Sequence, residues 1–158
     1  CVVGVGFGAD VTIVDINPLR LAYVRDVVQG HVTTLMSNAA NIEGAVTEAD
    51  LVICAVLIPG AKTPRLVSRK HLTEMEDGSA LVDVAVDQGG CAETSRPTTH
   101  HDPRYIEHGV VHYCVSNMPG AVPHTSTYAL TNATMAYALE IADRGWKAAV
   151  SDPALLLG

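Results

Sequence analysis

Three residues stand where a side chain could do chemistry. Asp87 closes the run Leu81-Val82-Asp83-Val84-Ala85-Val86-Asp87 and is followed by Gln88-Gly89-Gly90. Glycines directly after an acid let the backbone approach a ligand closely, and a carboxylate so placed can exchange protons with it. The same residue is, on composition alone, the more ordinary aspartate of an Asx turn. Asp83, inside the apolar run, is expected to be structural. Arg96, in Ser95-Arg96-Pro97-Thr98-Thr99, offers a planar fork suited to a phosphate or carboxylate, or it is a solvated surface arginine. Asp15 ends the apolar run Val11-Thr12-Ile13-Val14. A carboxylate there can accept hydrogen bonds from a ribose diol and would repel a 2′-phosphate, favouring NAD over NADP. The alternative is a turn residue beside Asn17.

Near the start, Gly4-Val5-Gly6-Phe7-Gly8-Ala9 matches the pattern G-x-G-x-x-G/A. A working phosphate loop needs a strand before it, a helix after it and an acid about 20 residues on. Asp15 falls only 11 residues after Gly4, and the strand-like run begins at Val11. A crossover helix needs on the order of ten residues, so no complete fingerprint fits. Two explanations stay open. Residues 2–8 are the tail of a helix, or residues 1–6 are a first strand joined to the next across a deletion. The pair His108 and His112 has metal-ligand spacing on a helix. Gly109-Val110-Val111, however, predicts a helix end turning into a strand, which separates the two rings. No Cys or Glu has companion spacing, and no metal site is expected.

The 158-residue chain is 48% hydrophobic and 17% charged, as for one globular domain with a core of its own. Aromatics make up only 4%, so Val, Ile, Leu and Ala must supply that core. A net charge of -7 argues against nucleic acid or an anionic membrane as partner. No apolar run approaches the roughly 18 residues of a membrane span. The four cysteines form no C-x-x-C pair and are read as reduced thiols of a cytoplasmic protein. The chain starts with Cys rather than Met, as a fragment would.

Positioning these residues requires alternating strands and helices. Strands are expected at 11–16, 32–36, 51–56, 80–84 and 110–115, almost continuously apolar, as in a parallel sheet covered on both faces. Helices are expected at 18–28, 42–49, 68–75 and about 125–144, the first capped by Asn17 with Pro18 at its first position. This predicts an α/β fold with a Rossmann-like, doubly wound parallel sheet lacking a normal first strand–phosphate loop–helix unit. Two long loops, 86–103 and 117–123, leave the carboxyl ends of strands, where open α/β sheets bind ligands.

Longer motifs extend this reading. VTIVDINP, ADLVICAVLIPGAKTPRLVSR, LVDVAVDQGGCAETSRPTTHHDP and VVHYCVSNMPGAVPHTSTYALTNAT together resemble the bacterial L-alanine dehydrogenases from about Gly8 onward. The related nicotinamide nucleotide transhydrogenases share the turns like IPG and NMPG but lack the DQGGCAETSRPTTH loop. The resemblance implies the NAD-binding domain, residues 1–158, of a cytoplasmic enzyme, typically a homohexamer, whose substrate domain is absent here. Such enzymes reversibly convert L-alanine, water and NAD to pyruvate, ammonium and NADH, with hydride passing between C2 of the substrate and C4 of the nicotinamide.

By resemblance, Asp15 would bind the adenosine ribose beside Arg20, Ser37 would flank the adenine, and Val56 and Leu57 would line the cofactor. Val84, Ala85, Val86 and Asp87 would meet the nicotinamide side, with Asp87 also catalytic in proton transfer. Arg96 and the turn Val115-Ser116-Asn117-Met118 would complete the cleft. The 158-residue chain alone is expected to be inactive. A non-catalytic, transhydrogenase-like module that presents NAD(H) to a partner is the alternative, and an inert truncated product is a third reading.

Overall fold

The computed structural model describes residues 1–156. A short helix, α1 (Val2–Gly6), leads through Gly8, at φ +85°, into β1 (Val11–Asp15). The order helix-then-strand is the reverse of a phosphate-loop unit. The opening glycines thus lie in and after a helix rather than in a first strand. β1 pairs in parallel with β2 (Val32–Met36) through α2 (Pro18–Val27). Asn17 caps α2 as expected, its Oδ1 accepting from the amides of Leu19 and Arg20 at 3.0 and 3.2 Å.

α3 (Ala39–Thr47) starts three residues before the expected position because the Asn38 side chain caps it, accepting from Asn41 N at 2.9 Å. β3 (Leu51–Cys54) and β4 (Ala80–Asp83) flank the short α4 (Arg69–Glu74), whose N-terminus is a capping box between Ser68 and His71. β5 (Arg104–Glu107) and β6 (Val110–Tyr113) follow. β3, β4 and β6 are mutually parallel, and β5 adds antiparallel at the edge, giving the order β3-β4-β6-β5.

That edge strand corrects the expectation of a purely parallel sheet and of a helix end at Gly109. His108 and Gly109 both take positive φ, 53° and 76°, and make a two-residue hairpin turn of the kind that needs left-handed backbone at both positions. Among the described residues, no ladder joins β1 to β3, so the six strands form two sheets.

The core lies on the β3–β4–β6 side. Val46, Cys54, Val67, Leu72, Met75, Leu81, Cys91, Ala92 and Val110 are its buried members, and no aromatic is among them, as the composition required. The long α5 (Pro123–Arg144) has no buried residue. The short α6 (Trp146–Ala149) and α7 (Pro153–Leu156) follow it. Among the described residues, no helix is long and apolar enough to cross a membrane.

Candidate functional site

β4 ends on Asp83, and the chain turns at once into a 3₁₀ turn over Val84–Gln88. Asp83 is fully buried (0% exposed). Its Oδ1 accepts from Ala85 N at 3.0 Å, and its Oδ2 from Cys91 N at 2.7 Å, Ala92 N at 3.4 Å and the Ser95 hydroxyl. The turn points Val84 and Asp87 outward while Ala85 and Val86 are buried beneath it. Gly89 and Gly90 follow at φ +102° and +81°. A Cβ on Gly90 would lie 2.7 Å from the Ser95 Cβ and 3.0 Å from Asp83 Oδ2, so only glycine lets the loop close on the aspartate.

The second loop meets the first at Asp87. Asn117, in left-handed backbone (φ 54°), donates its amide to Asp87 Oδ2 at 3.4 Å. Its carbonyl faces His100 Nε2 at 3.1 Å. Val115 is buried and forms a parallel bridge with Thr98, so the Arg96–Thr98 stretch runs beside the chain leaving β6. Ser116 and Met118 are half-buried.

Arg96 is exposed but held. Its guanidinium carbon lies 3.9 Å from the Tyr105 ring centroid. Its amide donates to the Tyr105 hydroxyl at 3.0 Å, and that hydroxyl donates to Thr94 O at 2.8 Å. Behind Tyr105, the buried His112 ring stacks at 4.8 Å. His112 Nδ1 lies 2.9 Å from Val110 O and its Nε2 lies 2.7 Å from Thr94 Oγ1. A carbonyl can only accept, so Nδ1 carries the proton and Nε2 accepts from Thr94. Burial holds the Tyr105 phenol protonated well above its ordinary range.

The other end of the site is at β1. Asp15 Oδ1 accepts from Asn17 N at 2.7 Å, and Ser37 N donates to Asp15 O at 2.9 Å. Asp15 therefore does shape a turn, and it also sits against Ser37. A cleft of about 370 Å³ opens beside them, lined by Ser37, Asn38, Ile42, Arg65, Leu66 and His71. Arg20 lies exposed in the first turn of α2 and, among the described residues, makes no ion pair with Asp15. Val56 packs against the core, while Leu57 is exposed on the loop after β3.

The structure thus brings Asp87, Arg96 and Asn117 to the carboxyl ends of β4 and β6, and Asp15 and Ser37 to those of β1 and β2. Two buried polar atoms beside the Asp87 turn, Thr63 Oγ1 and Gln88 Oε1, have no partner among the described residues. Their backbones are joined, Thr63 N donating to Gln88 O at 3.0 Å. A hydroxyl and an amide oxygen left open at this place suit a ligand with polar groups of its own. The donor set therefore fits a dinucleotide at both ends. Among the described residues, no strand–glycine loop–helix unit of the kind that holds a pyrophosphate precedes β1.

Sequence reasoning took Asp83 as structural, weighed His112 only as half of a metal-ligand pair and saw nothing in Tyr105. The alternation of Arg104–Glu107 and Val110–Tyr113 about a His-Gly turn was the available signal.

Parallel strands with ligand-facing loops at their carboxyl ends define an α/β nucleotide-binding domain of Rossmann type. The family described as alanine dehydrogenase/PNT, C-terminal domain, matches residues 2–158. The chain belongs to that family and is its NAD(H)-binding domain. It is 60% identical to an alanine dehydrogenase of Geobacillus stearothermophilus over 99% of its own length and 42% of that protein's. It is 58% identical to one of Methanococcus maripaludis, again over 99% of its length and 42% of the relative's. A solved L-alanine dehydrogenase superposes with a TM-score of 0.85 at 52% identity, covering 99% of this chain and 43% of that one. A transhydrogenase from Sinorhizobium meliloti superposes with 0.64 at 29% identity, over 76% of this chain and 33% of that one. The chain thus spans less than half the length of these relatives.

Proposed function

We propose that this domain serves the reversible oxidative deamination of L-alanine to pyruvate and ammonium, in a cytoplasmic homohexamer. The observation that carries the reading is the meeting of Asp87 and Asn117 across two loops, at the carboxyl end of the sheet. Asp15, with Arg20 nearby in sequence, would hold the adenosine ribose, and Ser37 with the adjoining cleft would take the adenine. Val56 and Leu57 would line the dinucleotide. Val84, Asp87, Arg96 and residues 115–118 would face the nicotinamide half, with Ala85 and Val86 supporting them from beneath.

NAD, when bound, supplies the hydride acceptor. The chain's own part is to place and protonate. Asp87 accepts a proton from the substrate amine or from the attacking water, and returns it in the reverse direction, because imine formation and hydrolysis both need acid–base help. Asn117 N, donating to one carboxylate oxygen, leaves the other for the substrate side.

The test is NADH formation from L-alanine by the full-length enzyme carrying this domain, alongside the 158-residue chain alone. Turnover by the former and none by the latter is expected, since this chain spans only 42% of the length of an alanine dehydrogenase it matches. NADH binding without alanine oxidation in the full-length protein would instead favour a transhydrogenase-type module.

A further inference from the structure

We infer that Asp83 is a positioning residue of the reaction, setting Asp87 and Arg96 on one frame. The inference rests on the dehydrogenase reading above, in which Asp87 moves the proton. A buried carboxylate must have its lone pairs satisfied. Here four donors do so, all from the loop that carries the chemistry. Ala85 N fixes the first turn of the 3₁₀ segment, and Asp87 projects from that segment two residues on. Cys91 N and Ala92 N close the loop behind it. The Ser95 hydroxyl binds the residue just before Arg96. Removing this one side chain would release Asp87 at one end and Arg96 at the other.

A second observation shows that the loop is shaped around this carboxylate. Gly90 approaches so closely that a Cβ there would meet Asp83 Oδ2 at 3.0 Å. Arg65 meanwhile donates to Ala92 O and secures the outer side of the same loop. Asp83 itself is enclosed, with no exposed surface, and so acts through other residues rather than on substrate.

The experiment uses the full-length enzyme with Asp83→Asn, Ser95→Ala, Asp87→Asn and the double variant Asp83→Asn/Asp87→Asn. Asp83→Asn keeps the shape but turns an acceptor into a donor facing other donors. Displacing a reacting group by about 1 Å can cost on the order of 10²-fold. We expect kcat to fall by about that factor, with KM for alanine changing less. The double variant should lose clearly less than the product of the two single losses, because much of the Asp83 effect runs through Asp87. Additive losses in the double variant would overturn the proposal.

A second readout does not depend on activity. Hydrogen exchange at the Asn117 amide, which Asp83 does not touch, should quicken in Asp83→Asn. Unchanged exchange and unchanged kcat in a folded variant would refute the role. Should Asp83→Asn not fold, Ser95→Ala removes one donor only and is read by the same two measures. If the unmodified enzyme fails to oxidise alanine, the dehydrogenase reading fails and the exchange arm still decides whether Asp83 sets Asp87.

Discussion

The amide of Asn117 points at the carboxylate of Asp87 from 30 positions away in the chain, at 3.4 Å. Two loops that leave neighbouring strands therefore close on one oxygen. Asp87→Asn should leave NADH affinity within a few-fold and cut turnover by roughly 10²-fold or more, since the isostere keeps the shape and loses the proton acceptor. Steady-state kinetics with NADH titration check this, and near-normal turnover across pH would make Asp87 a turn residue only.

Asp15 presents one oxygen to Asn17 N at 2.7 Å and can offer the other to a ribose. Charged hydrogen bonds contribute about 1.5–3 kcal/mol each. Asp15→Ala in the full-length enzyme is expected to weaken NAD use at least tenfold and narrow the gap to NADP, because the like charge facing a 2′-phosphate is gone. Asp15→Asn keeps the turn with Asn17 and isolates the charge. Kinetics with both cofactors decide, and an unchanged ratio in both variants removes Asp15 from the ribose site.

Much of this was legible in the residues. The strands starting at Val11, Val32, Leu51, Ala80 and Val110 were visible as nearly unbroken apolar runs, although the sheet is not covered on both faces: β3 leaves Leu51 and Ile53 more than half exposed. Asn17-Pro18 announced its helix through capping chemistry. What stayed hidden depends on contacts far apart in sequence. The β5 segment was read as a helix end before Gly109, since an edge strand such as Arg104-Tyr105-Ile106-Glu107 exposes alternate residues and carries little apolar signal. Asp83 was recognised as structural, but its four partners lie up to 12 residues ahead, and no local pattern announces them.

Tyr105 gives a pH-dependent prediction. Burial raises its pKa in the folded chain, so its contribution is fully present below the ordinary phenol value of about 10 and is lost as pH rises through the folded value. Wild-type stability should fall more steeply above pH of about 10 than that of Tyr105→Phe. Urea midpoints measured from neutral to strongly alkaline pH test the difference, and parallel curves would count against it.

Two adjacent glycines offer a paired test. Gly90→Ala puts a Cβ 2.7 Å from Ser95 in backbone at φ +81°, whereas Gly89→Ala, at φ +102°, meets nothing within 4 Å. Both carry the left-handed strain of about 1–3 kcal/mol, but only the first adds a clash. Thermal melts should therefore rank wild type, then Gly89→Ala, then Gly90→Ala. Equal losses would mean that the loop does not need its close approach to Asp83.

The absence of a ladder between β1 and β3 bears on how the molecule comes apart. The unit from β1 through α2 to β2 buries only Leu21 below a tenth exposure, while the main core lies with β3, β4 and β6. Units with few buried contacts open at lower free energy than the whole. On warming, the Asp15–Ser37 end should melt out first, leaving the Asp87–Asn117 end still structured, so the two halves of the nucleotide would be lost at different temperatures.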